Sequence, residues 1–337
     1  MNSKERIQRA IKFGNPDRIA LNDEDMFVIS GDSNWIVKKW RLDETDHIWR
    51  RGDIWGCIHR TANRDQPGYA VENNPLDDWD KLAAFQWPNP DTMTPFHQKR
   101  QAELQADPSL QTRYHLLDVD PGPLLVIINL MGFENFLVQC VENPEKVADL
   151  YRRISDYKFQ LIKLAYDRLH CDGVVLFEDW GTQHGSLIAP AMFRKIFKPI
   201  VVEMAARIHA LDMHYGIQGS GDLAGILDEY MDAGLDFLLE AQINSKRWDV
   251  LPKKIRGKLC LMASGDAQTT LMTGTPSDVR EEVFRIKKEF ATPEGGLVFL
   301  NWPNPGGMPM SKENQVAQRE AMYEACGLPC PPDEKNS

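Results

Sequence analysis

The segment FEDWGTQHGS, residues 177–186, ends an apolar run with two carboxylates, an indole, an amide and an imidazole. A carboxyl group that is partly removed from water has a raised pKa and can act as a general acid or base near neutral pH. Since neighbouring side chains of a strand point to opposite faces, only one of the two carboxylates can enter a site directly. The predicted catalytic residues are Glu178, Asp179 and His184, and the predicted substrate contacts in this segment are Trp180 and Gln183.

Other apolar segments of the chain also end in polar residues. In a parallel α/β barrel the carboxyl ends of the strands surround one mouth, and substrates bind there. Polarity that recurs at strand ends therefore favours a single site over scattered surface polarity. The further predicted substrate-binding residues are Gln218, Ser220, Glu240, Ser264, Asp266 and Asn301.

Strands and helices alternate along the chain and must position these residues. The predicted strands are residues 19–23, 123–129, 173–179, 213–218, 237–241, 259–264 and 298–301. The predicted helices are residues 144–169, 190–211, 222–233, 276–290 and 311–326. Strands that are apolar on both faces and alternate with helices indicate a parallel sheet covered by helices.

The strand–helix units, about seven in all, follow one another without a linker rich in Gly or Ser. This favours a single α/β domain over residues 1–337, a (β/α)8 TIM barrel. Residues 24–120 carry many turn signals and several tryptophans. They are predicted to form an irregular N-terminal insertion or cap, and residues 327–337 a tail.

The composition excludes several classes of partner. The net charge is −10 and no long cluster of Lys and Arg is present, so the chain lacks the basic footprint that nucleic acid requires. The longest apolar run, residues 124–133, is interrupted by Asn129 and is too short to cross a membrane. The N-terminal segment lacks an apolar signal core, and the six cysteines are widely spaced. These features predict a cytoplasmic protein with free thiols.

Two local motifs approximate cofactor-binding signatures without fitting them. Gly219, Gly221 and Ala224 match the G-x-G-x-x-A spacing of dinucleotide sites. Asp222, however, places a carboxylate where a pyrophosphate would bind, and it is predicted to cap the following helix. The sequence DMHYG, residues 212–216, has its glycine one residue too early for the Asp-x-His-x-x-Gly signature of corrinoid proteins. The chain is therefore expected to hold no cobalamin domain of its own.

No metal-ligand spacing such as H-x-H, H-x-C or H-E-x-x-H occurs in the chain. A lone histidine near a strand is more often a hydrogen-bonded structural residue, and this is the interpretation for His214. His184 lies in a loop beside Gln183, where facing a ligand and facing solvent are equally consistent with the pattern. Spacing therefore predicts no resident metal site.

These residues form a pattern that resembles the uroporphyrinogen decarboxylase superfamily, and within it the corrinoid-dependent methyltransferase-like branch. Residues 177–199 are similar to the branch's Asp-Asp-x-Gly-Thr-Gln block, which is followed by Pro and an aromatic-Arg helix. Residues 3–21 resemble its opening helix and Asp-Arg turn, and residues 74–91 its Pro-Leu-x-Asp-Trp segment. Residues 264–268 and 295–314 resemble its last barrel units. The resemblance covers nearly the whole chain and implies a (β/α)8 barrel whose C-terminal mouth holds the substrate.

The same resemblance argues against porphyrinogen decarboxylation. True decarboxylases of the superfamily carry an Arg-Gln-Ala-Gly-Arg motif after the first strand, and its arginines bind substrate carboxylates. The corresponding segment here, NDEDMFVISGDSNW at residues 22–35, is acidic and has no arginine. Such a segment would repel a substrate that carries many carboxylates.

The methyltransferase-like branch moves a methyl group between a small molecule and a corrinoid (cobalamin) bound to a separate protein. Its thiol-methylating members bind zinc through His-x-Cys and a later Cys. The resemblance places Gln218 and Ser220 at the His-x-Cys positions, and Asn301 and Asn304 in the last barrel unit. Amides and hydroxyls bind zinc poorly, so this metal chemistry is expected to be absent or redesigned.

The predicted function is therefore that of a methyltransferase or demethylase acting between a small methylated ether or amine and a partner's corrinoid. A Glu, Asp or His would protonate the leaving group, and Gln183, Gln218 and Asn301 would orient the substrate. The predicted partners are a corrinoid protein and a small-molecule methyl donor or acceptor, and a homodimer is left open.

Two alternatives remain open from the sequence. A decarboxylase, a lyase of a small carboxylate or tetrapyrrole, would need a cationic anchor in the mouth. Arg194, Lys195 and Lys198 are expected on the helix outside the mouth, where they cannot serve as that anchor. A non-catalytic ligand-binding barrel is also consistent with the replaced zinc ligands.

Overall fold

The computed structural model describes residues 1–30, 40–63, 70–246, 248–302 and 310–332, so Asn304 lies outside the described residues. Its strands are β1 (Ala20–Leu21), β2 (Met26–Ser30), β3 (Arg41–Asp43), β4 (Ile48–Gly52), β5 (Ile58–Thr61), β6 (Ala70–Asn73), β7 (Tyr114–Val119), β8 (Gly173–Phe177), β9 (Gly181–Thr182), β10 (Gly185–Ser186), β11 (His214–Gln218), β12 (Phe237–Glu240), β13 (Cys260–Ala263) and β14 (Leu297–Phe299). Its α-helices are α1 (Ser3–Lys12), α2 (Asn22–Asp25), α3 (Thr94–Ala106), α4 (Pro123–Met131), α5 (Phe133–Glu142), α6 (Pro144–Leu169), α7 (Pro190–Ile196), α8 (Lys198–His209), α9 (Ala224–Asp232), α10 (Leu251–Ile255), α11 (Thr270–Thr273), α12 (Pro276–Phe290) and α13 (Lys312–Cys326).

Eight strands pair in parallel in the order β1-β14-β13-β12-β11-β8-β7-β2. The strands at the two ends of this order, β1 and β2, follow each other in the chain and are joined by the short helix α2. The sheet is thereby nearly closed, and helices cover its outer face. The predicted (β/α)8 barrel is confirmed.

Side chains of the barrel strands alternate between an inner and an outer apolar cluster. In β7, Tyr114 and Leu116 belong to the inner cluster, whereas Leu117 and Val119 pack against the surrounding helices. The same alternation continues in β8, β12 and β13. Because both faces are buried, these strands are apolar throughout, and this made most of them recognisable in the sequence.

Both ends of the predicted cap, residues 24–120, belong to the barrel instead. The segments β2 and β7 pair with each other in parallel, so they are barrel strands. Between them, β3, β4, β5 and β6 form a separate antiparallel sheet, which is followed by α3. This sheet region is anchored through Trp55, which is buried edge-on against Tyr157 of α6.

The apolar segment 123–129 forms helix α4 and not the predicted strand. Pro123 occupies the first helical turn, and the carboxylate of Glu178 accepts a hydrogen bond from the N–H of Leu124 at 2.9 Å. Most of the helix is buried. It therefore lacks the polar face whose spacing distinguishes a helix from a strand in a sequence.

The remaining helices are close to their predicted bounds. The predicted helices 144–169 and 276–290 are confirmed. The predicted helix 190–211 is divided into α7 and α8 at Phe197. Pro199 explains the break, because it has no N–H to donate to the preceding turn.

All six cysteines are free thiols, as predicted. Across the described ranges, no single helix combines the length and the apolar composition needed to cross a bilayer. Helices α4 and α5 satisfy these requirements only when taken together, and they meet at an angle of 99°.

Candidate active site at the barrel mouth

Glu178 lies behind the barrel wall and not in the mouth. In β8, Val175 and Phe177 face inward, so the next side chain points outward, and Glu178 is 1% exposed. Its carboxylate accepts hydrogen bonds from the N–H of Leu124 at 2.9 Å and from the hydroxyl of Tyr151 at 3.3 Å. Burial raises the pKa of Glu178 to about 8, although both hydrogen bonds oppose this shift. Glu178 therefore stabilises the start of α4, away from the place where a substrate would bind.

Asp179 is the carboxylate of this pair that reaches the mouth. It continues the inward series of β8 after Phe177 and is partly exposed. One of its oxygens accepts a hydrogen bond from the N–H of Ser220 at 2.9 Å, which joins the ends of β8 and β11. Ser220 lies in the loop two residues after Gln218, the last residue of β11. The structure thus brings together three of the predicted site residues.

A second carboxyl group, that of Asp120, interacts electrostatically with Asp179 and is missing from the sequence prediction. Asp120 follows β7, the barrel strand that pairs with β8. Burial raises the pKa of Asp120 to about 6; the ammonium of Lys158 opposes this shift, and the charge of Asp179 adds to it. Within the described part of the chain, no group donates a hydrogen bond to this carboxylate. A carboxyl group with this pKa is present in both charge states near neutral pH.

Asp118 adds a third inward carboxylate at a deeper level. It follows Leu116 on the inner face of β7, and its backbone pairs with Val175 of β8. The sequence signal for both carboxylates is HLLDVDPG, residues 115–122, in which two Asp at i and i+2 end an apolar run. Assigning these residues to a cap conceals the signal, because the end of a barrel strand is then not recognised.

Gln218 presents an amide to the same space. It lies on the same face of β11 as Gly216, where a Cβ would meet the ring of Phe237 at 2.0 Å. Since Phe237 belongs to the inner cluster, this face is the barrel interior. Gln218 is 9% exposed, and its side-chain amide has no hydrogen-bond partner among the described residues. A buried amide is costly without partners, so this side chain is available to a ligand or a water molecule.

Apolar and aromatic side chains form the floor of the mouth. Phe177 and Trp302 are partly buried and pack on the inner cluster at the ends of β8 and β14. The Cα of Phe177 pairs with that of Gln218 on the neighbouring strand. The mouth therefore combines an apolar base with polar and acidic groups at its wall, as small-molecule sites commonly do.

The loop after β8 forms a hairpin from β9 and β10 that extends over neighbouring strand ends. The N–H of Asp222, after β11, donates to the carbonyl of Thr182 at 2.7 Å. The amide of Gln183 donates to the side-chain oxygen of Gln268, after β13, at 3.3 Å. His184 is exposed in the turn of this hairpin. Gln183 and His184 thus lie at the rim of the mouth and not among its carboxylates.

Trp180 lies in the apolar layer between the barrel and its helices. It is fully buried, and its ring contacts those of Phe193 and Phe197 at centroid distances of 5.1 and 4.9 Å. Tyr151 of α6 borders the same cluster. An indole in this layer is separated from the mouth by the barrel wall, so the predicted contact with a substrate is not supported.

Glu240 and Ser264 are buried parts of the wall. Leu239 faces inward, so Glu240 points outward, and its carboxylate accepts a hydrogen bond from the N–H of Gln242. Ser264 is fully buried, and its hydroxyl donates to the carbonyl of Gly265 at 2.9 Å. Buried backbone groups at loop starts need partners, and these side chains supply them in place of the predicted substrate contacts.

Asp266 organises two loops in the same way. It is buried, and its carboxylate accepts hydrogen bonds from the backbone N–H groups of Asn244, Gln268 and Thr269 at 2.8, 3.0 and 2.8 Å. These bonds join the loops after β12 and β13. Both carboxylate oxygens are occupied, so Asp266 is a loop-organising residue and not an evident ligand for a substrate.

Asn301 closes the seam between β14 and β1. Its side-chain amide donates to the carboxylate of Asp23 at 2.7 Å, and its backbone N–H donates to the side-chain oxygen of Asn22 at 2.7 Å. Burial raises the pKa of Asp23, and the hydrogen bond from Asn301 opposes this shift. The amide nitrogen predicted to contact a substrate is therefore used in closing the barrel.

The glycines that imitate a dinucleotide site have packing roles. A Cβ on Gly219 would lie 2.7 Å from the carbonyl oxygen of Glu178. Gly221 has a φ of 69°, a left-handed conformation that favours glycine. Asp222 accepts a hydrogen bond at 2.9 Å from the N–H of Ala224, the first residue of α9. The N-cap position of α9 is Leu223, so Asp222 lies one residue before the capping position predicted for it.

Among the described residues, no three His, Cys, Asp or Glu side chains converge on a point where a metal ion would bind. Gln218 and Ser220 offer an amide and a hydroxyl, so these residues do not fit a zinc site. His214 is buried at the opposite end of β11, where its Nδ1 lies 2.9 Å from the hydroxyl oxygen of Tyr114. This is the structural role expected for His214.

The basic residues after the hairpin lie outside the mouth, as expected. Arg194 and Lys198 form ion pairs with Glu229 of α9 at 2.5 and 2.6 Å. Lys195 is exposed on α7. None of these three supplies a cationic anchor for a substrate carboxylate in the barrel.

Comparisons with known proteins agree with this architecture. A methyltransferase from Methanosarcina mazei has the same fold, with a TM-score of 0.66 and 12% identity over 96% of this chain and 99% of that protein. A D-tagatose 3-epimerase-like protein is less similar, with a TM-score of 0.40 and 12% identity over 68% of this chain and 82% of its own. No curated protein sequence matches the chain. The uroporphyrinogen decarboxylase (URO-D) family model matches residues 66–306, and the chain belongs to this family, as its sequence predicted.

Proposed function

We propose that the protein transfers a methyl group between a small methylated molecule in the barrel mouth and a corrinoid carried by a separate protein. The observation that carries the proposal is the group formed by Asp120, Asp179 and Gln218 over an apolar floor. Membership of the URO-D family and the fold shared with the methyltransferase from Methanosarcina mazei support it. The corrinoid would supply the cobalt that takes up or delivers the methyl group.

The chain's own residues would bind and orient the methyl donor. When the bond between the methyl carbon and its oxygen or nitrogen breaks, both electrons remain on the heteroatom. A protonated Asp120 can give its proton to a leaving oxygen, whereas an ionised Asp120 can hold a cationic donor. The amide of Gln218, which has no hydrogen-bond partner among the described residues, would position the donor, and Asp179 is already fixed by Ser220.

The same charges disfavour decarboxylation of a substrate with several carboxylates. Asp120 and Asp179 would repel such a substrate, since like charges at close range destabilise a complex in a partly desolvated site. The ammonium of Lys158 is already close enough to Asp120 and Glu178 to interact with both. A polycarboxylate would therefore find more repulsion than attraction among the described residues of the mouth.

The test is transfer of a labelled methyl group to a reduced corrinoid protein. Donors would include methoxyaromatics, methylamines and quaternary methylammonium compounds. We expect label in the corrinoid protein with at least one donor, and a rate loss of about a hundredfold in Asp120→Asn and Asp179→Asn. Asp232→Asn is the matched control, because this carboxylate is exposed on α9.

Two outcomes would contradict the proposal. Absence of label with every donor class and with several corrinoid proteins would contradict methyl transfer. Equal rates in wild type, Asp120→Asn and Asp179→Asn would show that transfer does not use the barrel mouth.

A further inference from the structure

We propose that Glu178 is a positioning residue that holds the turn carrying Asp120 against the end of β8, and so keeps the Asp120 carboxyl group at the barrel mouth. Glu178 itself lies behind the wall and acts only through this turn. The inference rests on the proposed function only where methyl transfer is measured, because the contacts that carry it lie within the protein.

The turn after β7, residues 120–124, is fastened to the end of β8 at two points. The N–H of Gly122 donates to the carbonyl of Phe177 at 2.8 Å, and the N–H of Leu124 donates to the carboxylate of Glu178 at 2.9 Å. The first N–H groups of a helix have no partner within the helix. Gly122, at the N-cap position of α4, has no side chain that could accept from them. Glu178 therefore supplies the acceptor that the start of α4 otherwise lacks.

A close backbone contact keeps the turn from moving along β8. A Cβ on Gly122 would lie 2.5 Å from the carbonyl oxygen of Phe177 and 3.0 Å from Cδ of Glu178. Pro121 is the only residue between this glycine and Asp120, and its ring fixes φ at about −65°. A displacement of Gly122 is therefore passed on to Asp120 and not absorbed by the chain between them.

Glu178 is itself held from a second side. It is 1% exposed, and its other carboxylate oxygen accepts a hydrogen bond from the hydroxyl of Tyr151 at 3.3 Å. Tyr151 is buried on α6, where its ring lies edge-on against that of Phe197 at a centroid distance of 5.0 Å. One carboxyl group thus connects β8, α4 and α6. Its removal would leave the buried N–H of Leu124 without this acceptor, which is costly.

The properties of Asp120 depend on where the turn lies. Burial raises the pKa of Asp120 to about 6, and this shift requires that the turn keep the carboxyl group away from water. Across the described residues, the charges that act on Asp120 are those of Lys158 and Asp179. Glu178 is not among these charges, although Asp179, Lys158 and Tyr151 all act on Glu178. An effect of Glu178 on Asp120 must therefore pass through the position of the turn.

The test is the titration of Asp120 in the intact protein, followed by carboxyl-carbon NMR, with Asp120→Asn used to assign the signal. The wild-type midpoint should be about 6. Glu178→Ala removes the acceptor for Leu124, so the midpoint should fall toward the ordinary value of about 4 as water reaches the turn. Glu178→Asp shortens the side chain by one methylene and should shift the midpoint in the same direction. The test therefore does not depend on the folding of a single variant.

Two further variants serve as controls. Glu178→Gln keeps an oxygen for the N–H of Leu124 but cannot ionise, so Asp120 should titrate as in wild type. Asn314→Ala is the matched control for lost stability, because Asn314 is 2% exposed on α13 and donates to two backbone carbonyls at 3.1 and 2.8 Å. Its truncation leaves two buried groups without a partner but does not touch the turn, so Asp120 should again titrate as in wild type.

Methyl transfer gives a second readout. Glu178→Ala should lower kcat at least about tenfold and change KM little, because the proton donor is displaced while Gln218 and the apolar floor are kept. Glu178→Gln should keep most of the wild-type kcat. A purely structural role would lower the amount of folded enzyme and leave kcat per folded molecule and the pH profile unchanged.

The outcomes separate the inference from the proposed function. A lowered Asp120 midpoint in Glu178→Ala, without methyl transfer from any donor, would support the positioning role and contradict the function. Methyl transfer with an unshifted midpoint in folded Glu178→Ala and Glu178→Asp would support the function and overturn the positioning role. A shift of the same size in Glu178→Gln or Asn314→Ala would also overturn it, because the hydrogen bond from Leu124 would then not be the cause.

Discussion

Asp120 and Asp179 end neighbouring barrel strands, and the charge of Asp179 adds to burial in raising the pKa of Asp120 to about 6. The relationship joins two segments that are far apart in the sequence. It also divides the roles of the two groups, because the N–H of Ser220 already donates to Asp179, whereas no described residue donates to Asp120. Asp120 is therefore a carboxyl group whose charge state changes near neutral pH.

Asp120→Asn should stabilise the protein at high pH. The folded-state pKa of about 6 exceeds the ordinary value near 4, so the stability that Asp120 contributes is present below about pH 4. It is lost as the pH rises through about 6. At about pH 8 the Asn variant should resist urea better than wild type, by on the order of 2 kcal/mol, and at about pH 4 the two should be equal. Greater loss of stability at pH 8 than at pH 4 would instead show an ion pair that holds Asp120 ionised.

Glu178 should respond differently to Gln and to Ala. Burial raises its pKa to about 8, so wild-type stability should fall as the pH rises from about 5 to 8. Glu178→Gln keeps an acceptor for Leu124 and Tyr151 and should flatten that fall. Glu178→Ala leaves both donors without their acceptor and should cost about 2 kcal/mol or more. The test is to measure denaturant midpoints of wild type, Glu178→Gln and Glu178→Ala across this pH range. Identical pH profiles for wild type and Glu178→Gln would refute the raised pKa of Glu178.

Much of the barrel is predictable from the sequence because its signals are local. Residues 144–169 and 276–290 combine a long helical period with Pro in the first turn. The strands β8, β11, β12 and β13 are apolar runs of strand length followed by polar residues. The exception is α4, because a helix buried on nearly every side has the same apolar pattern as a strand.

The candidate site is less predictable, because it depends on which face each residue occupies. Glu178 and Asp179 are adjacent, and the sequence alone does not fix which of them faces inward. Phe177 packs on the inner cluster, and only this observation shows that Glu178, the next residue, points outward and Asp179 inward. Asp120 is missed because its strand, β7, lies within a stretch that resembles a cap, and its partner comes from β8. Long-range pairing between strands is therefore the information that sequence patterns lack here.

Gly219→Ala should destabilise the protein, because the added methyl group would collide with the backbone at the end of β8. The new Cβ would lie 2.7 Å from the carbonyl oxygen of Glu178 and 2.7 Å from Cδ2 of Leu223. The carbonyl cannot move without disturbing β8, so we expect a loss of about 2 kcal/mol or more in unfolding free energy. Gly14→Ala is the control, since its nearest contact is the flexible side chain of Arg9 at 3.3 Å. Equal thermal stability of the two variants would contradict the close approach of β8 and the β11 loop.

Asn301→Asp tests the seam that closes the barrel. Asn301 donates to Asp23 at 2.7 Å, and burial has already raised the pKa of that carboxyl group. A second carboxyl group at this position can share a proton with Asp23 at low pH, but the two repel when both ionise. The variant should therefore approach wild-type stability near pH 4 and fall below it by about 2 kcal/mol near pH 8.

The double variant Asp23→Asn/Asn301→Asp supplies the decisive comparison for the seam. It restores one amide and one carboxylate with their positions exchanged, so the hydrogen bond of the wild type can form again. Its stability near pH 8 should recover most of what Asn301→Asp loses, and the double-mutant cycle gives the coupling energy of the pair. Additive effects of the two substitutions would mean that this hydrogen bond does not hold β14 to the segment that follows β1. In that case closure would depend on the backbone pairing of Ala20 with Val298 and of Leu21 with Phe299 alone.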